Sequence, residues 1–265
     1  MRPLFLFAHQ DDEFGVFAAL AKHCREENSP LCIYLTNGET EKADSSVRNS
    51  ESLAALSRLG VKETDIVFLG TKEEIPDGQL YRHLETAIEA LESLTPEIPK
   101  EKLQLYIPAW EGGHQDHDAA HLIGMALAKK MGADGVVYQY SLYHGENLPR
   151  PFFKVLSPIK LNGPTQSIPV TFSQCLKFLR LILLYRSQVS TWIGLAPFVA
   201  LKLLFRRKQD LQAVDIKRCT ERPHIGPLLY EKRGRGTFDD NARVAEPFIQ
   251  KWLSNSISQL KHGKL

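Results

Sequence analysis

The sequence contains few cysteines, and their positions exclude a disulfide-stabilised scaffold. Its four cysteines form no CxxC pair and no even framework of spacings, which is typical of free thiols in a reducing compartment. No basic segment followed by a cleavable apolar run opens the sequence, so no secretory signal is predicted. We therefore expect a cytoplasmic protein.

Two further absences bear on the fold. No GxGxxG motif follows the first apolar run, which disfavours a dinucleotide-binding fold. No apolar run reaches about 18 uninterrupted residues, so a membrane-spanning helix is not expected. Internal repeats and low-complexity tracts are also lacking.

What the sequence does have is an ordinary globular composition with unevenly distributed charge. Of its 265 residues, 43% are hydrophobic and 24% are charged. Residues 1–150 contain 14 Lys and Arg against 24 Asp and Glu, whereas the remaining residues contain 19 against 7. The basic part could complement the acidic part within one fold or face an anionic partner. No nucleic-acid partner is predicted, and the sequence does not indicate an oligomeric state.

Apolar runs alternate with amphipathic segments over the first 141 residues. This alternation predicts an α/β, Rossmann-like fold, with a mostly parallel sheet covered by helices on both faces. The predicted strands are 3–8, 31–36, 65–70, 103–109 and 135–141. The predicted helices are 12–24, 46–60, 78–94 and 117–131.

The pattern changes near residue 150, which divides a core (1–150) from a C-terminal extension (151–265) that we expect to be helical or irregular. The segments 173–188 and 190–208 are strongly apolar and are interrupted by basic residues. Helices of this composition usually pack in a core. The alternative is a peripheral surface for an anionic membrane, formed by 173–208.

Two dense polar clusters each follow a predicted strand. In open parallel sheets, ligands bind beyond the carboxyl ends of the strands, so we expect the two clusters to converge in one crevice. In the first cluster, "AHQDDE", three acids crowd one histidine and would repel one another without a positive charge among them. The first cluster contains His9, Asp11 and Asp12, and the second contains His114, Asp116 and His117.

The side chains of these clusters are suited to one catalytic zinc ion. Two histidines and one carboxylate leave a fourth coordination position for water, as in catalytic rather than structural zinc sites. Zinc lowers the pKa of its water to roughly 7. A further carboxylate next to that water could then act as a general base.

These motifs resemble those of the PIG-L (LmbE-like) zinc-dependent N-deacetylases. "AHQDDE" resembles the family's AHPDDE signature, and "HQDH" matches its HxDH signature. The segments "TNGE", "RNSESLAALSRLG" and "LKFLRLILLYRSQ" extend the resemblance. It implies a hydrolase that removes the N-acetyl group from an N-acetylglucosamine-type sugar or glycoconjugate, which could be lipid-linked or phosphorylated.

The resemblance also implies a role for each matching position. It makes His9, Asp12 and His117 the zinc ligands. Asp11 becomes the general base, His114 the group facing the oxyanion or leaving amine, and Asp116 the carboxylate that orients His114.

Other positions near the motifs have two interpretations. Arg48 could bind polar groups of the substrate or pair with Glu51. Trp110 could stack on a sugar ring or pack in the core. Gln10 replaces the family's usual proline but supplies no metal ligand, so the chemistry should be unaffected.

Three other functions stay open from the sequence. The protein could hydrolyse a different amide conjugate with the same chemistry. It could be a non-catalytic metal-binding or membrane-surface module, although such a module would need neither Asp11 nor His114. A metal-dependent phosphoesterase would need a second metal, for which His114, Asp116 and Asp118 are available.

Overall fold

The computed structural model describes residues 2–41, 43–94, 103–132, 137–149 and 151–253. The strands are β1 (Arg2–Phe7), β2 (Leu31–Tyr34), β3 (Ile66–Phe68), β4 (Leu103–Pro108), β5 (Val137–Tyr140), β6 (Tyr143–His144), β7 (Lys154–Val155), β8 (Thr165–Pro169) and β9 (Lys208–Ala213). The helices are α1 (Phe17–Arg25), α2 (Ser45–Leu59), α3 (Leu69–Lys72), α4 (Leu84–Leu94), α5 (Gln115–Lys130), α6 (Phe172–Ile182), α7 (Val189–Arg206), α8 (Leu229–Lys232) and α9 (Phe238–Trp252).

A seven-stranded sheet in the order β3-β2-β1-β4-β5-β9-β8 forms the centre of the molecule. The first five of these strands are parallel to one another. In the central strand β1, alternate side chains point to opposite faces, and both sets are buried. Burial on both faces explains why these strands appear in the sequence as continuous apolar runs.

Two apolar layers enclose the sheet. On one face, Leu4 and Leu6 of β1 belong to a buried cluster with residues of α4, α5 and α9. On the other face, Phe5 and Phe7 belong to a cluster with residues of α1, α2, α6 and α7. The predicted Rossmann-like, mostly parallel fold with helices on both faces is confirmed.

The elements differ from the prediction mainly at their ends. The segment after β1 first forms a 3₁₀ turn, Asp12–Gly15, and α1 begins only at Phe17. The predicted strand 65–70 ends at Phe68, and α3 follows directly. A Cβ at Gly70 would collide with the backbone of Thr36, so this close packing of α3 on the end of β2 requires glycine. Residues 135 and 136 of the fifth predicted strand lie outside the described residues.

The extension contributes to the seven-stranded sheet two strands that the sequence did not predict. β9 pairs antiparallel with β5, and β8 pairs antiparallel with β9, so the sheet continues across residue 150. The two predicted helices of the extension correspond to α6 and α7. Strand β8 is polar and largely exposed at the edge of the sheet. Ser167 in β8 is hydrogen-bonded to both Asp210 and Lys208 of β9.

Candidate active site

The two polar clusters meet where the strand order reverses. β1 lies between β2 and β4, and the connections from β1 and β4 leave the sheet in opposite directions, which opens a crevice at their carboxyl ends. A cavity of about 300 Å³ opens there. Residues lining it include His9, Asp11, Asp12, Arg48, Asp77, His114, Tyr143, Gln188, Arg233 and Arg235.

The turn after β1 holds Asp11 in a strained backbone conformation. Its φ of 117° lies in the region that favours glycine. Asp11 occupies the N-cap position of the following 3₁₀ turn, but its side chain makes no capping hydrogen bond and faces the cavity instead. The buried carboxylate of Glu13 accepts a hydrogen bond from the Asp11 backbone N–H at 2.8 Å and another from the Tyr34 hydroxyl. Through these two bonds Glu13 connects the turn to β2.

Burial raises the pKa of Asp11 well above its ordinary value. The nearby Arg48 guanidinium, 3.9 Å from the Asp11 carboxylate, opposes this shift, and the neighbouring Asp12 and Glu13 reinforce it. A raised pKa brings a carboxylate closer to the neutral range in which a general base works best.

Asp12 lies between two imidazole rings. Its Oδ1 is 3.2 Å from His117 Nε2, and its Oδ2 is 3.7 Å from His9 Nδ1. Burial alone would raise the pKa of Asp12, but His117 and His9 hold it below its ordinary value. Nδ1 of the buried His117 ring lacks a hydrogen-bond partner among the described residues. Two imidazoles and a carboxylate match the ligands of a catalytic zinc site, so these residues fit the ion that the sequence implies.

Ligand atoms in this region are close enough together to bind a metal ion. The potential ligand atoms of His9, His114 and His117 lie within 4.8 Å of one another, and so do those of His9, Asp77 and Asp116. All but Asp77 are buried. The structure thus brings together all six residues of the two predicted clusters.

The Asp116 side chain contacts His9 rather than His114, so the role implied by the family resemblance, in which Asp116 orients His114, stays a prediction. The Asp116 carboxylate lies 3.0 Å from Nε2 of His9 and accepts backbone hydrogen bonds from Gly78 and Leu80 at 2.6 and 3.0 Å. Asp116 bonds to His114 through its backbone N–H instead, which donates to Nδ1 at 3.2 Å. Metal-binding histidines commonly donate their second N–H to a carboxylate, and Asp116 is placed to accept that bond from His9.

His114 is the N-cap of α5, and its ring is in contact with two donors. Burial lowers its pKa well below the ordinary value, and His9 and His117 lower it further. Nδ1 accepts the Asp116 backbone N–H, while Nε2 lies 2.6 Å from an Arg235 guanidinium nitrogen. A neutral imidazole accepts a hydrogen bond at only one nitrogen, so these two donors compete for a single lone pair.

Arg48 is buried at the cavity and does not pair with Glu51. Its guanidinium bonds to Asp77 at 3.0 Å and to the backbone carbonyl of Gln10 at 2.9 Å. Glu51 instead accepts hydrogen bonds from Ser187. Substrate binding by Arg48 stays a prediction. Its hydrogen bond to the Gln10 carbonyl shows that it holds the turn after β1.

Trp110 does not reach this cavity. It is only 2% exposed and packs in the core, and its indole N–H donates to the carbonyl of Glu221. This position favours the packing interpretation. The neighbouring Gly113 does make a close backbone approach, since a Cβ there would collide with the carbonyl oxygen of Tyr143.

Several cavity residues could not be identified from the sequence. Asp77 follows a proline and precedes a glycine in a loop, and that pattern indicates only a turn. Tyr143, whose ring lies 5.3 Å from that of His117, follows β5 without a motif. Arg233 and Arg235 lie in a short glycine-containing segment far along the chain. Together with Arg48 they line one cavity, and their positive charges offset its carboxylates.

Residues 4–128 match the family model named PIG-L, described as GlcNAc-PI de-N-acetylase. Among curated proteins, none matches the chain significantly. The fold is also that of several solved structures.

One of these is a triple mutant of a deacetylase of the teicoplanin biosynthetic pathway, with a TM-score of 0.61, 18% identity, and coverage of 81% of this chain and 98% of that one. The conserved protein TT1542 from Thermus thermophilus is similar with a TM-score of 0.57 and 21% identity, over 80% and 94% of the two chains. The N,N'-diacetylchitobiose deacetylase from Pyrococcus horikoshii is similar with a TM-score of 0.53 and 18% identity, over 80% and 82%.

Proposed function

Residues 4–128 of this chain belong to the PIG-L family, and from that premise we propose that the protein is a zinc-dependent hydrolase removing the N-acetyl group from an N-acetylglucosamine-type sugar or glycoconjugate. The observation that carries the proposal is the convergence of His9 and His117 on Asp12, with His9 and Asp12 lining one cavity together with the buried carboxylate of Asp11.

His9, Asp12 and His117 would hold the ion. When bound, zinc supplies a Lewis acid that polarises the acetamide carbonyl and makes water easier to deprotonate. Asp116 supports this arrangement by accepting a hydrogen bond from Nε2–H of His9. Nδ1 of His9, on the side of Asp12, is then unprotonated and able to bind the ion.

Asp11 is the proposed general base. Its strained turn directs the carboxylate into the cavity, and no capping hydrogen bond occupies it. There it takes a proton from the water that attacks the acetamide carbon. The Arg48 guanidinium, 3.9 Å away, stabilises the carboxylate form that this step requires.

His114 is the proposed partner for the charge that develops on the substrate. Its Nε2 is on the cavity side of the ring, close to Arg235. With its proton on Nε2, a neutral His114 would donate a hydrogen bond to the tetrahedral oxyanion, and the proton that Asp11 takes from water is available to the departing amine. The amine must gain a proton for the C–N bond to break, because an amide anion is a very poor leaving group.

Arg233 and Arg235 favour a substrate that carries a negative charge. Both residues line the cavity, and guanidinium binds phosphate well. We therefore propose a phosphorylated or lipid-phosphate-linked amino sugar. A neutral N-acetyl sugar would leave these two cations without a counter-charge from the substrate.

Metal analysis and acetate release together test this proposal. The purified protein should contain about one zinc per chain and should release acetate from N-acetylglucosamine conjugates. We expect phosphorylated conjugates to react faster than neutral ones. Release of phosphate without acetate would instead support a phosphoesterase.

The variant Asp11→Asn isolates the general base. It should keep its zinc and lose at least about 100-fold in kcat, whereas Asp239→Asn, at an exposed carboxylate of α9, should behave as the wild type. Full activity of Asp11→Asn would place the base at another residue.

A further inference from the structure

Helices α6 and α7 and the residue that follows α6 expose eight large apolar side chains. α7 buries one stripe of side chains, Trp192, Leu195, Val199 and Leu203, against the core. Five of its other large apolar side chains, Val189, Ile193, Phe198, Leu201 and Phe205, are exposed. The apolar surface consists of Phe172, Leu176, Leu183, Val189, Ile193, Phe198, Leu201 and Phe205.

The exposure of this surface is large for a folded protein. Phe205 is 80% exposed, Ile193 73% and Leu183 72%. Single exposed apolar residues need no explanation, but a contiguous exposed patch marks an interaction site. The core-packing interpretation of these two helices therefore accounts for only one side of each.

The charge within the segment that carries these side chains is of one sign. Residues 172–208 contain seven basic residues and no acidic residue. Most of the basic side chains are exposed. They are Lys177, Arg180, Arg186, Lys202, Arg206, Arg207 and Lys208.

An apolar groove ends in the most basic part of this surface. It is lined by side chains of α7 and of the segment around β7, and its volume is about 520 Å³. Burial lowers the pKa of Lys202 and the nearby Arg206 guanidinium lowers it further, whereas Asp210 opposes the shift. The lining residues include Phe153, Lys154, Phe198, Leu201, Lys202, Phe205 and Arg206.

We propose that this surface docks on a lipid bilayer that carries anionic headgroups, with α7 lying in the plane of the interface. Exposed apolar side chains flanked by Lys and Arg are the features of an interfacial amphipathic helix. Each Lys or Arg near an anionic membrane adds to the attraction. A protein partner would need a large acidic surface to match these basic residues, whereas an anionic bilayer supplies both the negative charge and the apolar phase.

α7 lies on the membrane and does not cross it. The segment Arg186–Arg206 is long and apolar enough to span a bilayer by length and composition alone, with 22% of it buried. Spanning would detach its inner stripe, including Trp192 and Val199, from the core. It would also dismantle the cavity, because Ser190 and Thr191 of α7 line it.

The same helix thus connects the membrane and the cavity. The N-terminal half of α7 forms part of the cavity wall, while Leu201 and Phe205 at its other half face outward. Docking places the cavity next to the headgroup layer. The binding inference rests on this surface alone and does not require the proposed reaction.

Vesicle sedimentation of the full chain tests the inference. The wild type should sediment with vesicles containing phosphatidylglycerol and remain in solution with vesicles of phosphatidylcholine alone. High salt should release it, since the charge attraction is screened. Failure to bind anionic vesicles, or retention on them at high salt as expected for a spanning helix, would overturn the proposal.

Paired variants separate the apolar contribution from the charge. Ile193→Ser combined with Phe205→Ser should weaken the partition coefficient by about tenfold or more. Lys202→Gln combined with Arg206→Gln should weaken binding to anionic vesicles and leave the midpoint of thermal unfolding unchanged. Ile225→Ser, at an 87% exposed position outside the surface, is the matched control and should bind as the wild type.

The variants also test the other possible occupant. Unchanged binding of the Ile193/Phe205 double variant, with an unchanged thermal midpoint, would overturn the proposal. The proposal would also be overturned if the wild type formed a stable dimer in the absence of vesicles and the Ile193/Phe205 double variant were monomeric. A second copy of the chain would then cover the surface.

Discussion

Replacing Asp116 by asparagine distinguishes the two roles that this carboxylate has been given. The family resemblance implies that Asp116 orients His114, whereas its side chain contacts His9 in the structure. Asparagine keeps the shape and removes the charge. In the fully buried position of Asp116, the substitution changes two properties, metal affinity and folding stability.

The metal affinity falls because His9 loses the acceptor for its Nε2 proton. An amide N–H placed at Oδ2 would favour the tautomer of His9 that is protonated on Nδ1, the nitrogen that faces Asp12. Loss of such a supporting carboxylate typically weakens metal affinity by about 10- to 100-fold. The variant also loses charge-assisted bonds from the backbone of Gly78 and Leu80, worth about 1.5–3 kcal/mol each. Because one amide oxygen still accepts, we expect a loss of about 2–4 kcal/mol in unfolding free energy.

The measurements are zinc affinity by chelator competition and urea unfolding of the metal-free protein. Asp118→Asn is the matched control, since Asp118 is also buried on α5. Its Oδ1 accepts the backbone N–H groups of Glu111 and Gly112, away from His9. Asparagine preserves that acceptor, so zinc affinity should be unchanged. If Asp116→Asn kept wild-type zinc affinity and lost only turnover, our reasoning would be refuted and the orientation of His114 restored.

Two further predictions concern stability. Burial lowers the pKa of His121 from about 6.5 to about 4. Between these two pH values the unfolded chain binds more protons than the folded chain, so the unfolding free energy falls as the pH falls, by about 2 kcal/mol at pH 5. His121→Asn keeps a donor for the Pro108 carbonyl. Between pH 7 and pH 5 its unfolding free energy, measured in urea, should fall by about 2 kcal/mol less than that of the wild type. Equal falls in the variant and the wild type would contradict this linkage between protonation and folding. Gly113→Ala should lower the unfolding free energy by at least about 2 kcal/mol, because its Cβ would meet the Tyr143 carbonyl. Gly194→Ala, with open space around it, should be neutral or stabilising by up to about 1 kcal/mol. If Gly113→Ala and Gly194→Ala had equal effects on thermal unfolding, the close approach of Gly113 to Tyr143 would be contradicted.

The core of the fold could be predicted because its strands are buried on both faces. Each of β1 to β5 is apolar or nearly so, and the helices between them show clear periodicity. β9 escaped prediction because it contains buried glutamines. The Gln209 side chain accepts the Ala18 N–H and donates to the Phe14 carbonyl, so its burial is satisfied by bonds that no sequence pattern shows.

The site could be predicted as far as the strand ends determine it. Both clusters follow strands that lie side by side, and their convergence needed only the strand order. The partner of Asp116 depends on the loop around Gly78, which brings two backbone N–H groups to the carboxylate. Arg235 reaches His114 from 121 positions along the chain, and no local signal indicates that contact.

The outermost strand, β8, has a consequence for solubility. A free strand edge can recruit another chain through its unpaired backbone groups and begin aggregation. β8 carries polar side chains, ends in Pro169, and lies beside Lys208 and Asp210. Polar side chains and a proline on an edge strand discourage such pairing, so the chain should resist fibre-like self-assembly at this end of the sheet.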